Sequence, residues 1–237
     1  MELWKEITMG VSDWVLILTT IFLGVIAIWG DKVKEFFFAP KIKVLFEEVS
    51  PYCHKTFYRP SLLEIPPSDL NEPVFFFRFE IENAGSAKLR ACEAKLEQLW
   101  IYNSAGKPQK IQGFNDVSLV WVNGRRPVID LNPYRRDYCN IGHIASPKYQ
   151  TEFEARIFND LPGSHDQQLR FVFELAESPH SQPNCLIPGK YAIKVMLYSE
   201  NTRPKELWFE IAWSGNWQDN ETEMFRELTL NQTSSPE

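Results

Sequence analysis

Residues 75–83 read Phe-Phe-Phe-Arg-Phe-Glu-Ile-Glu-Asn. Phe75, Phe77, Phe79 and Ile81 alternate with Phe76, Arg78, Glu80 and Glu82, so an extended chain turns one side inward and leaves the other solvated. Asn83-Ala84-Gly85-Ser86 then supplies the residue types of a tight turn. Working outward, period two dominates from Lys41 onward. Lys41–Phe46 opens a strand, and Ser118–Val122, Glu152–Phe158, Leu169–Leu175, Tyr191–Tyr198 and Glu206–Trp213 repeat the pattern.

One segment fits two periods. Within Lys88–Tyr102, Leu89, Cys92, Leu96 and Leu99 have helical spacing, while Cys92, Ala94 and Leu96 have strand spacing. The turns on both sides, at Asn83-Ala84-Gly85 and Asn103-Ser104-Ala105-Gly106, favour a strand with a bulge. Ser50–Pro73 holds five prolines and reads as a rigid loop. About eight or nine short strands, with no clear helix after residue 39, imply an all-β, immunoglobulin-like two-sheet sandwich over residues 41–217. Missing crossover helices disfavour a parallel α/β fold. Residues 218–237 are acidic and polar and read as a partly ordered tail.

The chain has 237 residues and a formal net charge of −6, enough for one ordinary domain and a short appendage. An aromatic content of 14% excludes wholesale disorder, and four cysteines are too few for a disulfide scaffold.

The appendage is the N-terminus. Residues 11–30 carry one charge, Asp13, and Trp14–Trp29 is interrupted only by Thr19, Thr20 and Gly24. Twenty largely apolar residues flanked by tryptophan are expected to form a transmembrane helix, with the lipid bilayer as partner. Residues 1–10 would be a short exoplasmic tail, and 31–40 a helical extension broken at Ala39-Pro40. Lys32, Lys34, Lys41 and Lys43 follow the span and only Lys5 precedes it. That excess implies single-pass insertion in the inner (cytoplasmic) membrane with the C-terminal domain in the cytoplasm. Thr20, Gly24 and Ala27 form a small-residue strip that could bring two membrane helices together as a homo-oligomer.

No reaction chemistry stands out. Cys53-His54, Cys139 with His143, His165, and His180 with Cys185 lack the spacing of a zinc site, and no cofactor is implied. Gly163-Ser164-His165-Asp166 places triad residue types side by side without a nucleophile elbow, and phosphate-cradling glycine motifs are absent. Charge is more telling. Residues 31–217 are neutral, yet Lys107, Lys110, Arg125, Arg126, Arg135 and Arg136 face only Asp116 and Asp130 between Asn103 and Arg136. If loops converge, these six make a basic binding patch for an acidic protein, a nucleotide or anionic lipid; otherwise they are a solvated rim. Nucleic acid is disfavoured, because no aromatics interleave with them.

Several pieces resemble uncharacterised prokaryotic single-pass membrane-anchored proteins with an immunoglobulin-like or adhesion-type β-sandwich. They are Phe77–Ala87, Leu186-Ile187-Pro188-Gly189-Lys190-Tyr191, and Trp208–Trp217. The resemblance implies a sheet topology and a tight turn, and transfers no catalytic residue. Expected roles are physical: Tyr191 packs inward with its hydroxyl on backbone, and Trp208, Trp213 and Trp217 fill core or edge space. The functional expectation is a membrane-anchored cytoplasmic binding or scaffolding module. The alternatives are a membrane-bound hydrolase with a loop-built cleft and a sensory subunit of an oligomeric channel-like effector.

Overall fold

A computed structural model describes residues 10–37, 39–58, 72–151, 168–177, 179 and 182–236, with the side chains of 11, 28 and 31–37 excepted. The expected Glu152–Phe158 strand, the 163–166 segment and His180 lie outside the described residues. The chain divides into two compact units, Met1–Ala39 and Pro40–Glu237.

The first unit is helix α1, Val11–Phe37. Asp13 Oδ2 accepts from the Gly10 amide at 2.9 Å, and the Thr19 and Thr20 hydroxyls donate to the carbonyls of Val15 and Leu16 at 2.7 and 2.8 Å. Among the described residues no helix is long and apolar enough to cross a membrane. The expected span over 11–30 is therefore corrected. The bilayer partner, the inner-membrane localisation, the cytoplasmic orientation and the homo-oligomer contact through Thr20, Gly24 and Ala27 all depended on it and fall with it. Both membrane-bound alternatives fall for the same reason.

The second unit is all-β except for short helices, and holds fourteen strands among its described residues, every pairing antiparallel. Sheet A comprises β1 (Ile42–Leu45), β2 (Cys53–Tyr58), β3 (Glu72–Asn83), β7 (Val120–Trp121), β9 (Arg136–Ala145), β10 (Phe171–Phe173) and β11 (Cys185–Leu186). Its order is β1-β3-β9-β10-β11, with β2 beside β3 and β7 beside β9. Sheet B comprises β4 (Leu89–Tyr102), β5 (Pro108–Lys110), β6 (Val117–Ser118), β8 (Val128–Leu131), β12 (Gly189–Tyr198), β13 (Lys205–Trp213) and β14 (Leu228–Thr233). Its order is β14-β13-β12-β4-β5, with β6 and β8 also on β4. The immunoglobulin-like plan of eight or nine strands is thus replaced by two sheets of seven. The additional strands are mostly two to six residues long and flank the long central ones.

The core lies between the sheets. Phe75, Phe77, Phe79 and Ile81 are each at most 1% exposed, as the alternation requires. Phe79 of sheet A stacks on Phe209 of sheet B at 5.9 Å. Strand β4 is irregular between Leu89 and Cys92, and against β12 between Leu96 and Gln98. Gly142 on β9 has no room for a side chain, since a Cβ there would lie 2.5 Å from the Val172 carbonyl and 2.6 Å from the Phe171 ring.

Two turns close as the residues dictate. Asn83, fully buried, accepts from the amides of Lys41 (3.3 Å) and Gly85 (3.1 Å) and donates to the carbonyls of Ala87 (2.7 Å) and Leu131 (3.0 Å). One side chain thereby ties the start of β1, the turn after β3 and the end of β8. Tyr191 is fully buried and its hydroxyl donates to the Ile187 carbonyl at 3.0 Å. The region expected to be a tail is folded instead. Asn220 caps helix α2 (Glu221–Glu227) by accepting from Thr222 and Glu223, and Met224, Leu228 and Leu230 are buried as β14 pairs with β13.

Candidate functional site

The segment expected to be a proline-rich loop contains β2, and this strand completes the outer face of sheet A. Register places His54 opposite Phe76, Phe76 opposite His143, and His143 opposite Val172. The ring centroids of His54 and Phe76 are 6.1 Å apart and stacked, and those of Phe76 and His143 are 5.3 Å apart. An outward sheet face is usually solvated and polar, so a row of rings crossing three strands is a departure from the ordinary pattern.

The row ends in an ionic chain. His143 Nδ1 lies 2.7 Å from Glu174 Oε1, and the other oxygen of Glu174 accepts from Arg125 Nη2 at 2.9 Å. His143 and Glu174 are buried, while the Arg125 side chain is 57% exposed at the rim. Burial alone would raise the Glu174 carboxyl, but the hydrogen bonds and charges of His143 and Arg125 outweigh it and hold it below the usual carboxylate range. Arg125 reaches this position from a tight turn between β7 and β8, where its own φ is +49°. The carboxylate thus sits directly against one imidazole nitrogen.

Adjacent on the same face is Arg78. Its backbone amide donates to the Tyr52 carbonyl at 2.9 Å, and Asn140 is its register partner on β9. Arg78 Nε donates to the Pro51 carbonyl at 2.7 Å, and the guanidinium lies 4.4 Å from the Tyr138 ring centroid. Tyr52 in turn meets Tyr138 edge-on at 6.2 Å. Arg136 bridges Glu80 at 3.2 Å and Glu82 at 3.4 Å. Burial lowers the pKa of His54, and the charge of Arg78 adds to that, against an opposing pull from Glu221.

The six residues of the expected basic patch are divided. Lys107 lies in the turn between β4 and β5, bonded to Asn103, and Lys110 pairs with Trp100 on β4. Arg135 and Arg136 lie by Asn83 and Leu131, where β8 pairs with Leu89. Eleven residues of β4 separate Trp100 from Leu89, about 36 Å at 3.3 Å each. Arg125 and Arg126 occupy the β7–β8 turn, Arg126 through a backbone bond to Trp121. The structure brings together the pairs within each turn and not the six.

The other candidates resolve by facing. Cys139 is in the core and His143 on the outer face, so they cannot share a ligand; Cys53 and His54 diverge in the same way. Among the described residues no group of three or more His, Cys, Asp or Glu could hold a metal ion. Trp213 is core, and Trp217 packs on Phe75 at 5.3 Å, whereas Trp208 lies with Trp100 and Ala192 on the outer face of sheet B. There the charges are internally matched, Lys190 with Glu210 and Lys194 with Glu206 and Glu97.

Reading by alternation missed Arg78, Asn140 and His54. The available signal was Phe76, a phenylalanine at an outward position of β3.

Comparison with known proteins finds no matching family model and no match among curated proteins. The resemblance to membrane-anchored sandwich proteins is therefore corrected. Its motifs are turn chemistry, the asparagine turn at 83–86 and the proline-glycine-tyrosine corner at 188–191, which any antiparallel two-sheet domain can use.

Proposed function

We propose that the β-domain is a binding module whose ligand is received on the outer face of sheet A. One observation carries this reading: the face holds the His54–Phe76–His143 row next to a His143–Glu174–Arg125 chain with a buried carboxylate. Buried ionic chains contribute little net stability and concentrate at sites of recognition or chemistry. The outer face of sheet B, by contrast, has its cations and carboxylates paired along the strands. No anchoring in a membrane enters this reading.

The test is chemical-shift mapping of the uniformly labelled protein against a panel of sugar phosphates, dicarboxylates, neutral oligosaccharides and short peptides. The expected result is perturbation of the amides and imidazoles of His54, Phe76 and His143, with the indole signals of Trp100 and Trp208 unmoved. Perturbation confined to sheet B, or to the turns carrying Lys107 and Lys110, would overturn it.

A further inference from the structure

We propose that Arg78, Asn140 and His54 form an oxyanion site, taking the phosphate or carboxylate group of a small molecule. The proposal rests on the reading of this face as the binding surface and specifies what it binds.

Several cations stand on the outer face of sheet A or reach over it, Lys43 in register with Glu82 among them. Arg136 has two carboxylate partners and Arg125 has Glu174. Among the described residues no carboxylate pairs with Arg78, although it is half-buried. Its plane is set by the Tyr138 ring and its Nε is occupied by the Pro51 carbonyl. That leaves both Nη groups without a protein acceptor among the described residues. Two parallel donors in one plane match two oxygens of a phosphate or carboxylate, which a lysine ammonium cannot do.

The neighbours supply what an oxyanion needs next. Asn140, opposite Arg78 in register, is 7% exposed, and its side-chain amide makes no hydrogen bond among the described residues. An amide with open hydrogen-bonding capacity can donate to a ligand oxygen at this position. On the other flank, the buried His54 Nδ1 also has no hydrogen-bond partner among the described residues. Glu80, two residues further along β3 on this face, is already held by Arg136 and by the Tyr138 hydroxyl. A metal ion is disfavoured, because an unpaired guanidinium would repel it.

Isothermal titration and imidazole NMR, at ionic strength held constant with potassium chloride, test the site with inorganic phosphate, phenyl phosphate and acetate. Phosphate should bind in the millimolar range and shift the His54 signals. Arg78→Gln should weaken it by about tenfold or more, and Arg78→Lys by less, since a charge remains but the paired donors do not. Asn140→Leu, of similar volume, should weaken it about fivefold, the loss of one hydrogen bond. Unchanged thermal unfolding of each variant separates these effects from loss of fold. Acetate binding in place of phosphate assigns a carboxylate ligand and supports the site equally. Wild type and Arg78→Gln binding phosphate and acetate alike, or neither anion shifting His54 up to about 50 mM, would overturn the proposal. If panel ligands still perturb the His54–Phe76–His143 row in the Arg78→Gln protein as in wild type, the oxyanion assignment fails while the binding face stands.

Discussion

Replacing Asn83 by alanine should cost the β-domain more than any other single polar truncation in its turns. The side chain makes four hydrogen bonds at 2.7–3.3 Å from a fully buried position, to Lys41, Gly85, Ala87 and Leu131. At about 1 kcal/mol net for each bond, and with backbone groups left unpaired, the expected loss is about 3–4 kcal/mol. For a domain of this size that corresponds to a fall of about 10 °C in Tm. Thermal unfolding by circular dichroism and urea titration measure it directly. Asn201 is the internal control, because its side chain pairs with Arg90 and Lys88 in a similar way but at the surface. Asn201→Ala should cost about 1 kcal/mol, water replacing the lost partners. Asn83→Asp should be worse at pH 7 than at pH 4, since a charged carboxylate would then face the Ala87 and Leu131 carbonyls. Equal losses for Asn83→Ala and Asn201→Ala would refute the argument that burial of this amide joins β1, β3 and β8.

Four further outcomes follow from the same structure. All four cysteines are buried, and burial pushes the Cys53 and Cys92 thiols up to about 12 and Cys139 well above its ordinary value. An aromatic disulfide reagent at pH 8 should therefore label none of them in the native protein and all four in urea; rapid native labelling would contradict the packing. Burial raises the Asp137 carboxyl, partly opposed by the bonds from the Tyr138 amide and Asn123. A raised carboxyl favours folding below its ordinary range and loses that contribution as pH rises through the folded value, so Asp137→Asn should stabilise by up to about 1 kcal/mol at pH 7 and not at pH 3. At the corner after β11, Tyr191→Phe should cost about 1 kcal/mol for the lost bond to Ile187. Gly215→Ala should cost about 2 kcal/mol, because its φ is +96° and a Cβ would lie 2.7 Å from Pro188; a neutral result by urea titration would argue against that close approach.

How much of this was legible in the chain depends on how local each feature is. The β3 alternation, the Asn83 turn and the Tyr191 corner are set by neighbours within a few residues, and they read correctly. Strand β2 hides among prolines because its partner is β3, across a gap that local pattern cannot bridge. The acidic C-terminus looks like a tail because Met224, Phe225, Leu228 and Leu230 turn inward from among polar residues, and the pairing with β13 is what orders it. Counting charges between Asn103 and Arg136 yielded a basic patch because Glu80, Glu82 and Glu174 come from other strands. Arg78 escaped for the converse reason: a missing counter-charge is visible only in three dimensions. At the N-terminus hydropathy alone suggested a bilayer span, which the described helix does not support.

The most direct test of the binding face is crystallographic. Crystals grown without phosphate or sulfate and soaked in selenate should show an anomalous peak at the Arg78 Nη groups, shared with the Asn140 amide. Peaks confined to Lys107, Lys110 or sheet B, with none beside Arg78, would contradict the account.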